Sequence, residues 1–229
     1  MFNFLLFTEP STLNELKIWS IVSSRLLRSI RIHWLVESER QEGMNVITTS
    51  IEGILIIEPQ TFEDQRGFFM ETYHQSRYVK AGVNKLFVQD NLSYSLKGTV
   101  RGLHFQIRNP QAKLVHVITG EIFDVAVDIR PGSATFGQWT GIHLSDKNRR
   151  QLYIPEGFGH GFCVLSDTVH FSYKCSDFYV PEDEGGIIWS DPDIGIRWPV
   201  ENPIISEKDK HYPKLSDLTS EQLPVSKAH

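Results

Sequence analysis

Cysteine is scarce in this chain: its 229 residues contain two, Cys163 and Cys175. Both lie in apolar, strand-like runs, which points to buried free thiols rather than a disulfide. The paired Cys/His spacing of a zinc site is missing as well. Positive charge is short: 23 Lys and Arg stand against 28 Asp and Glu, a net charge of -5. That balance excludes a broad basic surface for nucleic acid and leaves any anionic ligand to a local cluster. No apolar run approaches the roughly 20 residues of a membrane-spanning helix. The opening "MFNFLLF" reaches Glu9 and Pro10 without the basic start or small-residue cleavage site of a secretory signal. Internal repeats and low-complexity tracts are lacking too.

What is present has the composition of an ordinary globular protein, 40% hydrophobic and 22% charged, and length enough for one sizeable domain. The first 43 residues read differently from the rest. "STLNELKIWSIVSSRLLRSIRIHWLV" has the pattern of a basic, partly amphipathic helix, with Ser11 or Thr12 as cap and Arg25, Arg28 and Arg31 along it. We expect residues 1–43 to be an extension outside the working fold, with Met44 of "MNVITTSIEG" as an alternative start. Residues 44–229 then form a single domain.

From Met44 onward, short β-branched and aromatic runs alternate with Gly, Pro, Asn and Asp. "GILIIEP", "KLFVQDN", "TVRGLHFQ", "LVHVITG", "EIFDVAVDIR", "QWTGIHLS", "RQLYIPEG", "HGFCVLS" and "VHFSYKC" predict nine strands. In "FDVAVDI", Phe123, Val125, Val127 and Ile129 share one strand face and Asp124, Ala126 and Asp128 the other. Helical signal is limited to "HQSRYVKAG" and "SEKDKHYP". Many strands with so few helices predict a mainly β jelly-roll barrel or sandwich, whose mouth is a usual place for a small-molecule site.

Five histidines lie in or beside these strands: His104, His116, His143, His160 and His170. Gly98 followed at a five-residue gap by His104 resembles the opening of the first cupin motif, and "PEGFGH" the core of the second. A metal-binding cupin adds a second His two residues after the first; here Gln106 stands there, and the Glu that should follow is missing. Too few ligands remain to hold a divalent ion, so no metal is expected and His104 is left for proton chemistry. The stretch "TVRGLHFQ" poses a geometric question. Strict alternation puts Arg101 and His104 on opposite faces, so either Gly102 marks a bulge that resets the face or Arg101 acts from a strand end. We favour the bulge.

The ordered set "RGFFMETY", "FVQDN", "RGLHFQ", "QAKLVHVITGEIFDVAVDIR", "FGQW", "RQLYIPEGFGHGF", "YKCSDFY", "EGGIIWSDPDIGIRWP" and "SEKD" resembles the dTDP-4-dehydrorhamnose 3,5-epimerase family. The resemblance runs from about Val46 to Asp217. It implies a metal-free, cofactor-free cupin, a cytoplasmic homodimer acting on a deoxythymidine-diphosphate keto sugar in rhamnose synthesis. Residue by residue, it implies His104 as catalytic base, Asp209 as its carboxylate partner, Tyr173 as the opposing acid and Lys113 as the cation at the ketone. Arg66, Glu71, Gln89, Asp90, Asn91, Arg101, His160, Glu184 and Lys208 match positions that hold nucleotide, phosphate or sugar, and Tyr179 matches a ring that stacks on thymine. Ala112 and His116 depart from the expected pattern. The chemistry is coherent: a neutral imidazole titrates near working pH, a carboxylate stabilises its charged form, and a fixed cation stabilises an enolate. An arginine fork suits phosphate. Rival readings are a single-centre epimerase of another deoxysugar route, a ketoisomerase on the same barrel, and a non-catalytic sugar-nucleotide-binding cupin.

Overall fold

The computed structural model describes residues 38–41 and 43–225, so the helix expected in the N-terminal extension lies outside the described residues. One sheet has seven antiparallel strands in the order β1 (Ser38–Gln41), β2 (Met44–Thr48), β3 (Leu55–Pro59), β11 (Gln151–Ile154), β8 (Lys113–Thr119), β13 (Thr168–Cys175), β6 (Gln89–Leu96). The other has five, in the order β10 (Trp139–Ser145), β9 (Glu121–Asp128), β12 (Phe158–Val164), β7 (Val100–Gln106), β14 (Glu184–Gly186). A separate hairpin joins β4 (Thr61–Asp64) to β5 (Gly67–Met70). Helices α1 (Gln75–Lys80) and α2 (Glu207–Lys210) fall on the two segments with helical signal. This is the jelly roll that the strand pattern predicts. Strand β1 lies upstream of Met44 and pairs with β2, Gln41 opposite Met44.

Alternation along the strands sends one set of side chains between the two sheets. Val115, Val117, Leu152, Val169 and Phe171 from the larger sheet meet Ile122, Ala126, Leu144, Phe158, Phe162 and Val164 from the smaller. Phe162 and Phe171 touch across the gap with ring centroids 4.6 Å apart. Burying a side chain such as Phe171 stabilises the fold by about 2–3 kcal/mol, so this layer holds the sheets together.

Both outer faces are also covered in part. Tyr78 of α1, with Ala81 and Val83 beyond it, closes over Val46, Ile57, Leu114 and Tyr153. On the smaller sheet, Leu103, Phe105, Val125, Val127 and Ile129 lie beneath Ile187, Ile194, Leu215 and Leu223 of the C-terminal segment. The apolar face of "FDVAVDI" therefore points out of the barrel, under that segment. Its polar face, with Asp124, points in.

Candidate active site

A cavity of about 310 Å³ opens between the sheets and is lined from both. The smaller sheet contributes Arg101 and His104 from β7 and His160 from β12; the larger contributes Lys113 from β8, Tyr173 from β13 and Gln89 and Asn91 from β6. Such a volume falls in the usual range for small-molecule sites.

The bulge expected at Gly102 is present. Arg101 pairs with Phe162 and His104 with His160, so three steps along β7 match two along β12. That extra residue brings Arg101 and His104 to the same cavity. Glycine is required there: φ is +126°, and a Cβ would stand 2.6 Å from Gly161 Cα and 2.8 Å from the His160 carbonyl oxygen.

His104 Nε2 lies 2.8 Å from Asp209 Oδ1, and Asp209 Oδ2 accepts the Gly102 N–H at 3.1 Å. Asp209 sits in α2, whose cap Ser206 accepts the Asp209 N–H at 3.1 Å. Burial pushes the Asp209 carboxyl upward, but His104, the Gly102 N–H and Ser206 outweigh it and hold the group below the usual carboxylate range. An ionised carboxylate can only accept, so His104 donates through Nε2–H, and Nδ1 has no hydrogen-bond partner among the described residues.

On the facing wall, burial raises the Tyr173 phenol, which stays neutral and able to donate. Burial lowers Lys113, against the pull of Cys175, Asp124 and Glu184. Beside the first pair stands a second. His160 Nε2 is 3.0 Å from both oxygens of Asp124, and burial holds this imidazole below its ordinary pKa. At the mouth, Glu184 accepts from the Tyr179 hydroxyl at 2.7 Å and from Lys208 at 2.8 and 2.9 Å. Burial works upward on Glu184, while Lys208 and Tyr179 keep it ionised. Arg101 is aimed by Ser95, whose Oγ accepts its Nε–H at 3.0 Å. Gln89 bonds Asn91 and, through Oε1, the Tyr179 N–H, which draws the end of β6 against the loop after β13.

Three of the residues expected in the site stand apart from this cavity. Asp90 turns to the outer face of β6 and pairs with Lys174 at 2.9 Å. Arg66, in the exposed turn of the β4–β5 hairpin, bonds Asp64, and Glu71 pairs with Arg77. His116 faces outward on β8, half-buried.

Sequence reading overlooked Asp124, Ser95 and Ser93, whose Oγ is buried in the cavity wall without a partner among the described residues. Asp124 did leave a signal, a carboxylate in the middle of a strand between Phe123 and Val125. Among the described residues, no three His, Cys, Asp or Glu converge as a metal site. Each inward histidine is instead committed to its own carboxylate.

The sequence model described as dTDP-4-dehydrorhamnose 3,5-epimerase matches residues 48–217. The chain is 55% identical over 174 residues to the dTDP-4-dehydrorhamnose 3,5-epimerase of Methanothermobacter thermautotrophicus, covering 75% of this chain and 94% of the relative. It is 43% identical over 169 residues to a dTDP-4-dehydrorhamnose 3-epimerase from Streptomyces niveus, covering 73% of this chain and 82% of that one. Its fold superimposes with a TM-score of 0.78 on a dTDP-6-deoxy-D-glucose-3,5-epimerase from Legionella pneumophila in complex with dTDP-4-keto-L-rhamnose. That match has 50% identity and covers 81% of this chain and all of the other. With the sequence pattern, the relatives and the fold in agreement, the chain belongs to the dTDP-4-dehydrorhamnose 3,5-epimerase family.

Proposed function

We propose that this chain inverts C3 and C5 of dTDP-4-dehydro-6-deoxy-D-glucose, giving dTDP-4-dehydro-L-rhamnose, and that His104, Asp209, Lys113 and Tyr173 carry the reaction. The supporting observation is the single cavity in which His104 and Tyr173 stand on facing sheets. His104 Nδ1 takes the proton from the carbon beside the ketone, and its charge is met by Asp209 at Nε2. The electrons of the broken C–H bond move onto the ketone oxygen, where Lys113 stabilises the enolate. Tyr173 returns a proton to the opposite face; its phenolate is reprotonated from solvent, and His104 releases the proton it took to solvent, so the cycle closes. Proton removal and return leave the oxidation state unchanged, so the step requires no redox cofactor.

Arg101, Lys208 and Tyr179 at the mouth suit the diphosphate and the thymine ring. A homodimer accounts for what one chain leaves exposed. Leu92, Tyr94, Leu96 and Ile118 show more than half of their surface on the outer face of the larger sheet, as do Phe62, Phe68 and Phe69 on the β4–β5 hairpin. In such a dimer the hairpin serves the partner's cavity, which gives Arg66 and Glu71 their place in substrate binding. Among the described residues no helix is long and apolar enough to cross a membrane; a cytoplasmic location is part of this proposal.

The test is deuterium wash-in from heavy water into the keto sugar nucleotide, read by NMR. Exchange at both C3 and C5 supports the proposal. Exchange at one centre favours the 3-epimerase activity named for the Streptomyces niveus relative, and exchange at neither would leave a binding protein. Activity is expected to survive a chelator.

A further inference from the structure

Tyr212 lies two residues beyond the end of α2 and outside the cavity lining, yet it touches the proposed base. Its ring meets the His104 imidazole nearly edge-on, with centroids 5.8 Å apart and planes at 65°. The space it occupies exists because of a glycine. Gly186 on β14 pairs directly with His104 on β7, and directly opposed residues of antiparallel strands present their side chains to the same face. A Cβ on Gly186 would stand 2.4 Å from both Cε2 and Cζ of Tyr212. The tyrosine ring therefore takes the place of the side chain that residue 186 lacks. Glu184, two residues earlier on β14, lies near the phenol, and burial together with that carboxylate keeps Tyr212 protonated.

We propose that Tyr212 is a positioning residue for His104, braced against the imidazole in the slot that Gly186 leaves open. The inference rests on the reading of His104 as the base. The Asp209 bond pins one ring nitrogen but leaves the imidazole free to swing about that contact. A flat ring packed edge-to-face beside it removes that freedom. Nδ1 then stays aimed into the cavity with no contact between Tyr212 and the sugar.

Four variants of the full-length chain test this, with kcat and KM measured in the epimerisation assay and folding checked by thermal unfolding. A displaced base costs up to about 100-fold per ångström, so Tyr212→Ala is expected to lower kcat about 30-fold and leave KM within about threefold. Tyr212→Phe keeps the ring and should retain kcat within about threefold of the native enzyme. Gly186→Ala pushes the ring away and should reproduce the kcat loss. The double variant Gly186→Ala/Tyr212→Ala has room for the new methyl and should be no slower than Tyr212→Ala alone.

Three outcomes overturn the proposal: kcat of folded Tyr212→Ala within twofold of native, a Tyr212→Phe loss as large as that of Tyr212→Ala, or independent, multiplying losses in the double variant. Gly186→Ala provides a second route should the alanine variant at 212 unfold. Absence of deuterium exchange in the native chain is a different result, because it rejects the base assignment itself rather than the brace.

Discussion

Replacing Asp209 by Asn removes one charge from the proposed site at nearly constant volume. In the native site the carboxylate is buried, with only 2% of the residue exposed, and accepts from two fixed donors, His104 Nε2 and the Gly102 N–H. An amide can accept with one group only. Its NH₂ then faces one of those donors, and the cheapest relief is to move the imidazole proton from Nε2 to Nδ1. That places a proton on the nitrogen assigned to receive one from the sugar. The electrostatic loss adds to this. A carboxylate and an imidazolium about 4 Å apart attract by roughly 4 kcal/mol at an effective dielectric of about 20. His104 is 28% exposed at its side chain, and solvent screening trims that figure. We therefore expect proton exchange to fall about 10²–10³-fold, with substrate binding little changed. The assay is the initial rate of deuterium incorporation at saturating keto sugar, alongside a binding measurement with thymidine diphosphate. A rate within threefold of native, in a folded protein, would refute the pairing argument.

Tyr173→Phe should uncouple the two faces of the sugar. Inversion is expected to drop about 10²–10⁴-fold while exchange on the His104 side persists, and equal loss of both would count against the phenol as the returning acid. Asp128 offers a stability test away from the cavity. It is fully buried and accepts from Arg130, Ser133 and Thr135, which overcome the opposing effect of burial and bring its pKa down to about 2 from 3.8. A pKa depressed on folding stabilises above the unfolded value and loses that contribution as pH falls from about 4 through 2, here about 2 kcal/mol. Asp128→Asn should thus unfold at lower denaturant at pH 7, with the gap to the native protein narrowing toward pH 2. The thiols supply a fourth check. Burial pushes Cys163 up to about 11 and raises Cys175 as well, so neither should react with a disulfide reagent at pH 8 until the chain is unfolded. Rapid labelling of the native protein would contradict their burial.

The nine predicted strands all have counterparts in the structure, because side-chain alternation and turn residues are local properties of a chain. The run "KLFVQDN" marks β6 too early; the strand starts at Gln89 and continues to Leu96. Strands β1, β2, β4, β5 and β14 escaped sequence reading, being short runs or sheet edges with little alternation. The bulge at Gly102 was legible from two functional-looking side chains whose spacing conflicted with a regular strand. Asp209 was legible only through family resemblance, since no local rule links residues 105 apart.

Local pattern was enough for a β-rich barrel, for two cysteines without a disulfide partner, and for a His104 that lacks the companion ligands of a metal cupin. Which face of each strand looks inward came from the packing of the two sheets, and with it the support of His160 by Asp124 and the filling of the space above Gly186 by Tyr212. Tertiary structure also set Asp90, Arg66 and Glu71 apart from the cavity of their own chain. The physical reason is one of range. A strand's two faces are distinguished by its own residues, but which face meets a cavity depends on cross-strand register and on what covers the sheet, and both are sums over contacts distant in sequence.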